Sequence, residues 1–265
     1  LGSIFMRDVG GGVVLGGALG AIIGGLHVIR SDDTEDILHG ATIGGVAGAG
    51  AGVLGGMAWA AVPAFLRVRL QVSEILTSLM LTYVAVQGLY YLVRGPWKDP
   101  DGFNFPQTRM FGADQTLPAI MPGSLVHLGI PAALLIALVA WLLMEKTTAG
   151  YAVKVVGLAP AAARHGGFSA DRVTWATMLA GGGLAGLAGL FEAAGPFGQL
   201  TPQFPTGYGF TAIIVAFLGR LSPPGIVLAA LVMALILIGA EGAQIALKLP
   251  LDLERFMIVA VGDFN

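Results

Sequence analysis

Residues 147–172 read TTAGYAVKVVGLAPAAARHGGFSADR, a polar and basic stretch between two long apolar runs. The flanking runs, 119–144 and 173–191, contain no Asp, Glu, Lys or Arg, and each is close to the ~20 residues that a helix needs to cross a bilayer. The stretch is therefore predicted to be a loop between two membrane spans, and its basic excess places it on the cytoplasmic side. Pro160 followed by three alanines predicts a short helix within it, at 159–165.

The composition places the whole chain in a membrane. Of its 265 residues, 55% are hydrophobic and 11% are charged, whereas about a quarter of the residues in a soluble domain are charged. The formal net charge of -2 offers no basic excess for nucleic acid. Cysteine is absent, which excludes disulfides and thiolate metal sites. The prediction is an all-α, polytopic membrane protein with one membrane domain over residues 1–265.

The apolar runs predict about eight membrane segments, joined outside the membrane by external loops at 94–118 and 195–207. The segments are 9–29, 40–66, 71–93, 119–144, 173–194, 208–218, 225–247 and one that begins at Leu249. Segment 208–218 is either a short, broken helix or a span that begins in the preceding loop. Irregular backbone at membrane depth is tolerated where it lines a cavity, so this segment is a candidate for a transport path.

Glycines recur every four residues in the second segment, at Gly44, Gly48, Gly52 and Gly56, as they do at 12–24 in the first. A further small-residue face is formed by Gly182, Gly186 and Gly189. Such spacing predicts close helix packing; the alternative is a sliding or pore-lining face. In the first external loop, the aromatic residues Trp97, Phe103, Phe105 and Phe111 form either an interfacial belt or a docking surface for an external partner.

The sequence lacks the catalytic motifs of several enzyme classes. No phosphate-binding Gly-Lys-Ser/Thr loop, Gly-x-Ser-x-Gly elbow or HExxH helix occurs, and the four histidines show no ligand spacing. The chain is therefore predicted not to be an enzyme and to carry no metal or cofactor. Glu192 and Glu241 lie in spans, where they are either candidates for a proton relay or simply solvated near the outer surface.

From Thr147 onward the chain resembles the permease subunits of bacterial ABC importers for simple sugars and nucleosides, a group that includes branched-chain amino acid permeases. The resemblance rests on Thr147, Thr148, Gly150, Tyr151, Lys154, Gly157, Pro160, Ala162, Ala163, Gly167 and Phe168, and on the runs GLAGLAGLFEAAG (183–195), GYGFTAIIVAFLGRLSPPG (207–225) and SEILTSLMLTYVA (73–85). Ala159 replaces the usual Asn of that group and Lys154 the usual Arg. Ser73 and Thr82 stand where asparagines are usual, and the Asn-Ile-Gly-x-Glu-Gly signature is missing.

The resemblance implies that residues 157–168 form a coupling helix received by a groove on a separate ATP-binding subunit, which carries the ATP and Mg²⁺. The coupling residues would be Gly157, Pro160, Ala162, Ala163, Arg164 and Gly167. The further partners implied are a second permease, identical or paralogous, and an extracytoplasmic solute-binding protein. The implied location is the bacterial plasma membrane.

The spans contain little fixed charge, which is consistent with a neutral cargo such as a sugar or nucleoside. The candidate path residues are Gln87, Glu192, Phe197, Phe210 and Thr211. Two other functions remain open: a secondary transporter that uses Glu192 or Glu241, and a membrane assembly protein whose glycines serve oligomerisation. The stretch 147–172 could also be a mere connection between antiparallel spans.

Overall fold

The computed structural model describes residues 34–100, 102, 105–111, 116, 128–202 and 207–247. In this part of the chain every regular element is helical, so the all-α class is confirmed. The helices are α1 (Thr34–Leu70), α2 (Glu74–Arg94), α3 (Gly129–Lys146), α4 (Thr148–Leu158), α5 (Pro160–His165), α6 (Ala170–Glu192), a π-helical turn (Ala193–Phe197), α7 (Tyr208–Leu218) and α8 (Pro223–Leu247).

Within these residues, five helices are long and apolar enough to cross a membrane: Gly48–Leu70, Glu74–Arg94, Gly129–Lys146, Ala170–Gly195 and Pro223–Ala240. The predicted segments at 9–29 and from Leu249 lie outside the described residues, as does 119–127 of the fourth. The short helix predicted at 208–218 is confirmed. At 11 residues α7 is about 16 Å long, roughly half of the hydrocarbon core.

Glycines bring the backbones of α1 and α6 into direct contact. A Cβ added to Gly186 would collide with the carbonyl oxygen of Gly52, and one added to Gly182 would lie 2.6 Å from the carbonyl oxygen of Gly56. Because 52 meets 186 and 56 meets 182, the two helices run antiparallel. The prediction that this ladder packs closely is confirmed, and its partner is the small-residue face of α6.

The first helix group consists of α1, α2 and α6. Its apolar core joins α2 to the C-terminal end of α6 and to the loop beyond it, and includes Ala85, Leu89, Val93, Leu190, Ala193 and Leu200. Trp59, Trp97 and Phe111 pack against this core while remaining partly exposed. The aromatic residues of the loop after α2 therefore differ in their surroundings. Trp97 and Phe111 pack against the core, whereas Phe105 is 67% exposed. Phe103 lies outside the described residues.

The second helix group consists of α3, α7 and α8. Helix α7 packs back along the first half of α8 through Val215, Ala229 and Met233, and α8 also contacts α3. Helix α4 contacts both α3 and α6, and α5 contacts α6. The two short helices therefore connect the two helix groups at one end of the bundle.

Replacing Gly186 by Val should separate α1 from α6, because the added methyl groups have no space beside the backbone of Gly52. Overpacking of this kind costs roughly 1–3 kcal/mol of stability. The expected result is a clear fall in the thermal unfolding midpoint of the purified protein in detergent. The matched control is Gly88→Val in α2, where an added Cβ meets no atom within 4 Å. An equal fall in both variants would contradict the proposed importance of the α1–α6 contact.

Candidate functional site

The turn from α3 into α4 is built by Thr147 and Gly150. The hydroxyl of Thr147 accepts a hydrogen bond from the backbone N–H of Gly150 at 3.2 Å and donates one to the carbonyl oxygen of Leu143 at 2.6 Å. Thr147 is thus the N-cap of α4. Gly150 is buried, and an added Cβ would meet the Cα of Met144 at 2.5 Å. The glycine therefore allows α4 to leave the end of α3 at a sharp corner.

An ion pair bridges the same corner. The Nζ of Lys154 lies 2.6 Å from an Oε atom of Glu145, and the two side chains are 43% and 48% exposed. A pair as exposed as this contributes little to stability. Its effect is to orient α4 against the end of α3.

Helix α5 is held in place from its inner side. Ala163 is fully buried within this chain, and its carbonyl oxygen accepts a hydrogen bond from the N–H of Phe168 at 2.9 Å. The ring of Phe168 packs edge-on against Tyr151 of α4, with 6.0 Å between the ring centroids. Gly167 ends the unit with a φ of +80°, a left-handed conformation that favours glycine. Tyr151, Ala163 and Phe168 thus fix α5 on α4.

The exposed surface of the α4–α5 unit, residues 148–165, has an apolar part at the corner between the two helices and basic residues beside it. Leu158, at the corner between the two helices, is 88% exposed. It is followed by a run of exposed residues: Ala159, Pro160, Ala161, Ala162, Arg164 and His165. Of the predicted coupling residues, Gly157, Pro160, Ala162, Arg164 and Gly167 are exposed. Ala163 faces the interior of this chain, so it supports the surface and is not part of it.

Sequence reasoning predicted a helix only at 159–165 and missed both α4 and Leu158. The signal for α4 was present: Thr147 is an N-cap residue type, and no Pro interrupts the following eleven positions. Leu158 was overlooked because a single apolar residue beside glycine gives no periodic pattern.

At the opposite end of the bundle, the loop after α2, which the sequence predicts to be external, is bonded to the loop after α6. The N–H of Thr108 donates to the carbonyl oxygen of Leu200 at 3.0 Å, and the N–H of Phe111 donates to that of Gly198 at 2.8 Å. The N–H of Leu200 in turn donates to the hydroxyl of Thr108 at 2.9 Å. Leu200 is fully buried. These bonds fasten the C-terminal ends of α2 and α6 together.

The structure does not gather the predicted path residues into one cluster. Gln87 is exposed on α2, and Glu192 is half-buried at the end of α6, just before the π-helical turn. Phe210 and Thr211 belong to α7 in the second helix group, where Phe210 is 53% exposed. The side chains of Phe197 and Glu241 lie outside the described residues.

Two buried polar atoms were not singled out by sequence reasoning. Within the described part of the chain, the indole Nε1 of Trp59 and the amide Oε1 of Gln199 are buried without a hydrogen-bond partner. Leaving such a group unpaired costs about 1–3 kcal/mol. Trp59 packs against the core of the first helix group, and Gln199 is adjacent in sequence to Leu200 of that core. As for metal ions, the described residues contain no cluster of three His, Asp or Glu side chains.

Comparison with known proteins places these features in a family. The family described as the permease component of branched-chain amino acid transport systems matches residues 9–261. The chain belongs to this permease family. Its members are membrane-spanning transport subunits, so the resemblance inferred from the sequence is confirmed.

Several curated relatives have known transport assignments. A glucose ABC transporter permease of Haloferax volcanii is 38% identical over 78% of this chain and 57% of the relative. A guanosine ABC transporter permease of Bacillus subtilis is 31% identical over 80% of this chain and 61% of the relative. A nucleoside ABC transporter permease of Lactococcus lactis is 29% identical over 68% of this chain and 52% of the relative. The permease chain thus spans between half and two thirds of their lengths. No solved structure matched it.

Because Ala163 is buried and Ala162 is exposed, the same substitution should have different effects at these two positions. Ala163→Glu places a charge in a site with no exposure, so it should detach α5 from α4 and α6, whereas Ala162→Glu on the exposed face should leave the fold unchanged. Limited trypsin digestion of the purified permease is the measurement, because Arg164 lies within α5 and Arg172 lies shortly after it. We expect faster cleavage there in Ala163→Glu alone. Equal cleavage rates in the two variants would contradict the structural role of Ala163.

Proposed function

We propose that this chain is a permease subunit of an ATP-driven importer. In this proposal, the chain forms part of the path for a small neutral solute, a sugar or a nucleoside. The α4–α5 unit receives the motion of a separate ATPase. The remaining partners of the proposal are a second permease chain and an extracytoplasmic solute-binding protein. The proposed location is the bacterial plasma membrane.

One observation carries the coupling proposal: the α4–α5 unit is rigidly built, exposes an apolar corner at Leu158, and contacts both helix groups. A highly exposed leucine on a fixed support is suited to entering an apolar groove on a partner protein. Because α4 contacts α3 and α6, displacement of the unit would act on both groups at once. A mere connection between spans would need neither a buried alanine nor a fixed leucine.

Charge distribution supports a cytoplasmic location for this unit. Seven basic residues lie at the end of the bundle that carries the unit, namely Arg67, Arg69, Lys146, Lys154, Arg164, Arg172 and Arg220, against three acidic ones, Glu74, Glu145 and Asp171. At the opposite end, the loop 94–118 has three basic and three acidic residues. Short loops rich in Lys and Arg remain on the cytoplasmic side.

The first helix group contains polar atoms of the kind that a neutral solute requires. Trp59 offers a hydrogen-bond donor and Gln199 an amide oxygen, both buried and unpaired among the described residues. Hydroxyl groups of a sugar or the edge of a nucleobase would satisfy such atoms once helix movement exposed them. Gln87 and Glu192 remain candidates on the same group, and Phe210 and Thr211 on the second. The relatives named for glucose, guanosine and nucleosides support this class of cargo.

The external loop is the proposed docking surface for the solute-binding protein. It is fixed to the loop after α6 by the Thr108–Leu200 bonds, yet Phe105 and Met110 remain 67% and 75% exposed. An exposed Phe and Met on a rigid support are typical of binding surfaces.

The Leu158→Asp variant tests the coupling proposal. A carboxylate at this position cannot enter an apolar groove without a large desolvation cost, so the variant should lose the ATPase. The measurement is co-purification of the permease with the ATP-binding subunit encoded beside it, in nanodiscs. We expect at least a tenfold reduction in bound ATPase, which corresponds to about 1.4 kcal/mol.

The matched control is Leu70→Asp. Leu70 is 60% exposed at the same end of the bundle but outside the α4–α5 unit. It should retain the ATPase. If Leu158→Asp binds as well as the unchanged chain, the coupling surface lies elsewhere; if Leu70→Asp is equally defective, the unit has no special role.

Energy coupling separates the importer from a secondary transporter. Solute uptake into proteoliposomes containing the assembled complex should require ATP and persist in the presence of a protonophore. Glu192→Gln should retain ATP-dependent uptake, because the proposed cargo is neutral and no proton transfer is needed. Uptake that is abolished by the protonophore and by Glu192→Gln, and that proceeds without ATP, would favour the secondary transporter.

A further inference from the structure

An apolar groove of about 410 Å³ lies between α3 and α8. It is lined from α3 by Leu134, Leu138 and Trp141 and from α8 by Pro223, Val227 and Leu228, among other apolar residues. Leu134, Leu138 and Leu228 are between 51% and 66% exposed. The part of the chain that the structure describes therefore does not cover this groove.

One end of the groove lies near the basic end of the bundle. Trp141 is five residues before the end of α3 at Lys146, a rise of about 7.5 Å along the helix, and Pro223 is the first residue of α8. Arg220 lies in the turn that precedes Pro223. Arg220 is exposed and forms no ion pair with any residue in the described ranges. An exposed cation thus lies three residues before Pro223, the first groove residue of α8.

The turn that carries Arg220 is rigid. Arg220 and Leu221 have φ values of 53° and 55°, an unfavourable conformation that persists only where surrounding structure enforces it. Here the N–H of Arg220 donates to the carbonyl oxygen of Phe217 and that of Leu221 to Ala216, each at 2.9 Å. The α7–α8 turn therefore fixes the backbone of Arg220 close to the end of α8 that lines the groove.

We propose that this groove binds an anionic phospholipid of the cytoplasmic leaflet, with an acyl chain along α3 and α8 and the headgroup phosphate at Arg220. The proposal combines the two features that such a lipid requires, an apolar groove and a basic residue at the end of that groove. Trp141 lies where an indole ring meets the interface. The assignment to the cytoplasmic leaflet rests on the orientation proposed above, whereas the lipid preference does not depend on any ATPase.

Quenching of Trp141 by brominated lipids tests the proposal. The chain has four tryptophans, so the contribution of Trp141 is taken as the difference between the unchanged protein and Trp141→Phe. Both are placed in nanodiscs that contain a low fraction of brominated phosphatidylglycerol or brominated phosphatidylcholine. We expect Trp141 to be quenched at roughly fivefold lower fractions of the anionic lipid, the factor that one basic residue near a membrane surface supplies.

Charge variants locate the headgroup. Arg220→Gln should remove most of the preference for phosphatidylglycerol, whereas Arg220→Lys and the exposed control Arg69→Gln should retain it. Equal quenching by both lipids in the unchanged protein would show ordinary lipid contact and overturn the proposal. Absence of quenching by either lipid would show that protein covers the groove, from this chain or a second copy, and would also overturn it.

Discussion

The direct backbone contact between α1 and α6 is the constraint on which the rest of the structure depends. In lipid, no hydrophobic gain drives two apolar helices together, so close van der Waals contact must supply the attraction. Gly52, Gly56, Gly182 and Gly186 remove the side chains that would keep the two backbones apart. With α1 and α6 fixed in this way, α2 can pack against the outer half of α6, and the core around Leu89 and Leu190 is completed.

The α4–α5 unit links this group to the second one. The chain leaves α3, in the second group, at the Gly150 corner, passes through the unit and returns into the membrane as α6, in the first group. The unit is therefore attached to both helix groups. In the proposed importer, this arrangement lets one contact with a partner move two bodies. The buried Ala163 and the Tyr151–Phe168 contact give the unit the stiffness that transmission of movement requires.

The sequence predicted the membrane class, the glycine packing, the short α7 and the resemblance of 147–168 to a coupling segment. It could not predict which helix packs against the glycines of α1, because small residues at four-residue spacing can pack against any helix that has a similar face. The helix α4 was missed because its eleven residues, read among glycines and charges, gave no span-like run. The Thr108–Leu200 bonds join residues 92 positions apart, and no local pattern encodes that separation. The burial of Ala163 likewise could not be predicted, because it depends on how α5 packs against α4 and α6.

The bonds between the two outer loops limit where the bundle can separate. Three hydrogen bonds and the buried Leu200 tie the outer ends of α2 and α6 to each other, and the glycine contact ties α6 to α1. Relative movement inside the first helix group would break several of these contacts simultaneously. The second group meets the first through far fewer contacts in the described structure, chiefly at the α4–α5 end. Among the described residues, the seam between the two groups holds the fewest contacts, so rigid-body tilting about the α4–α5 end would break fewer of them than movement inside the first group.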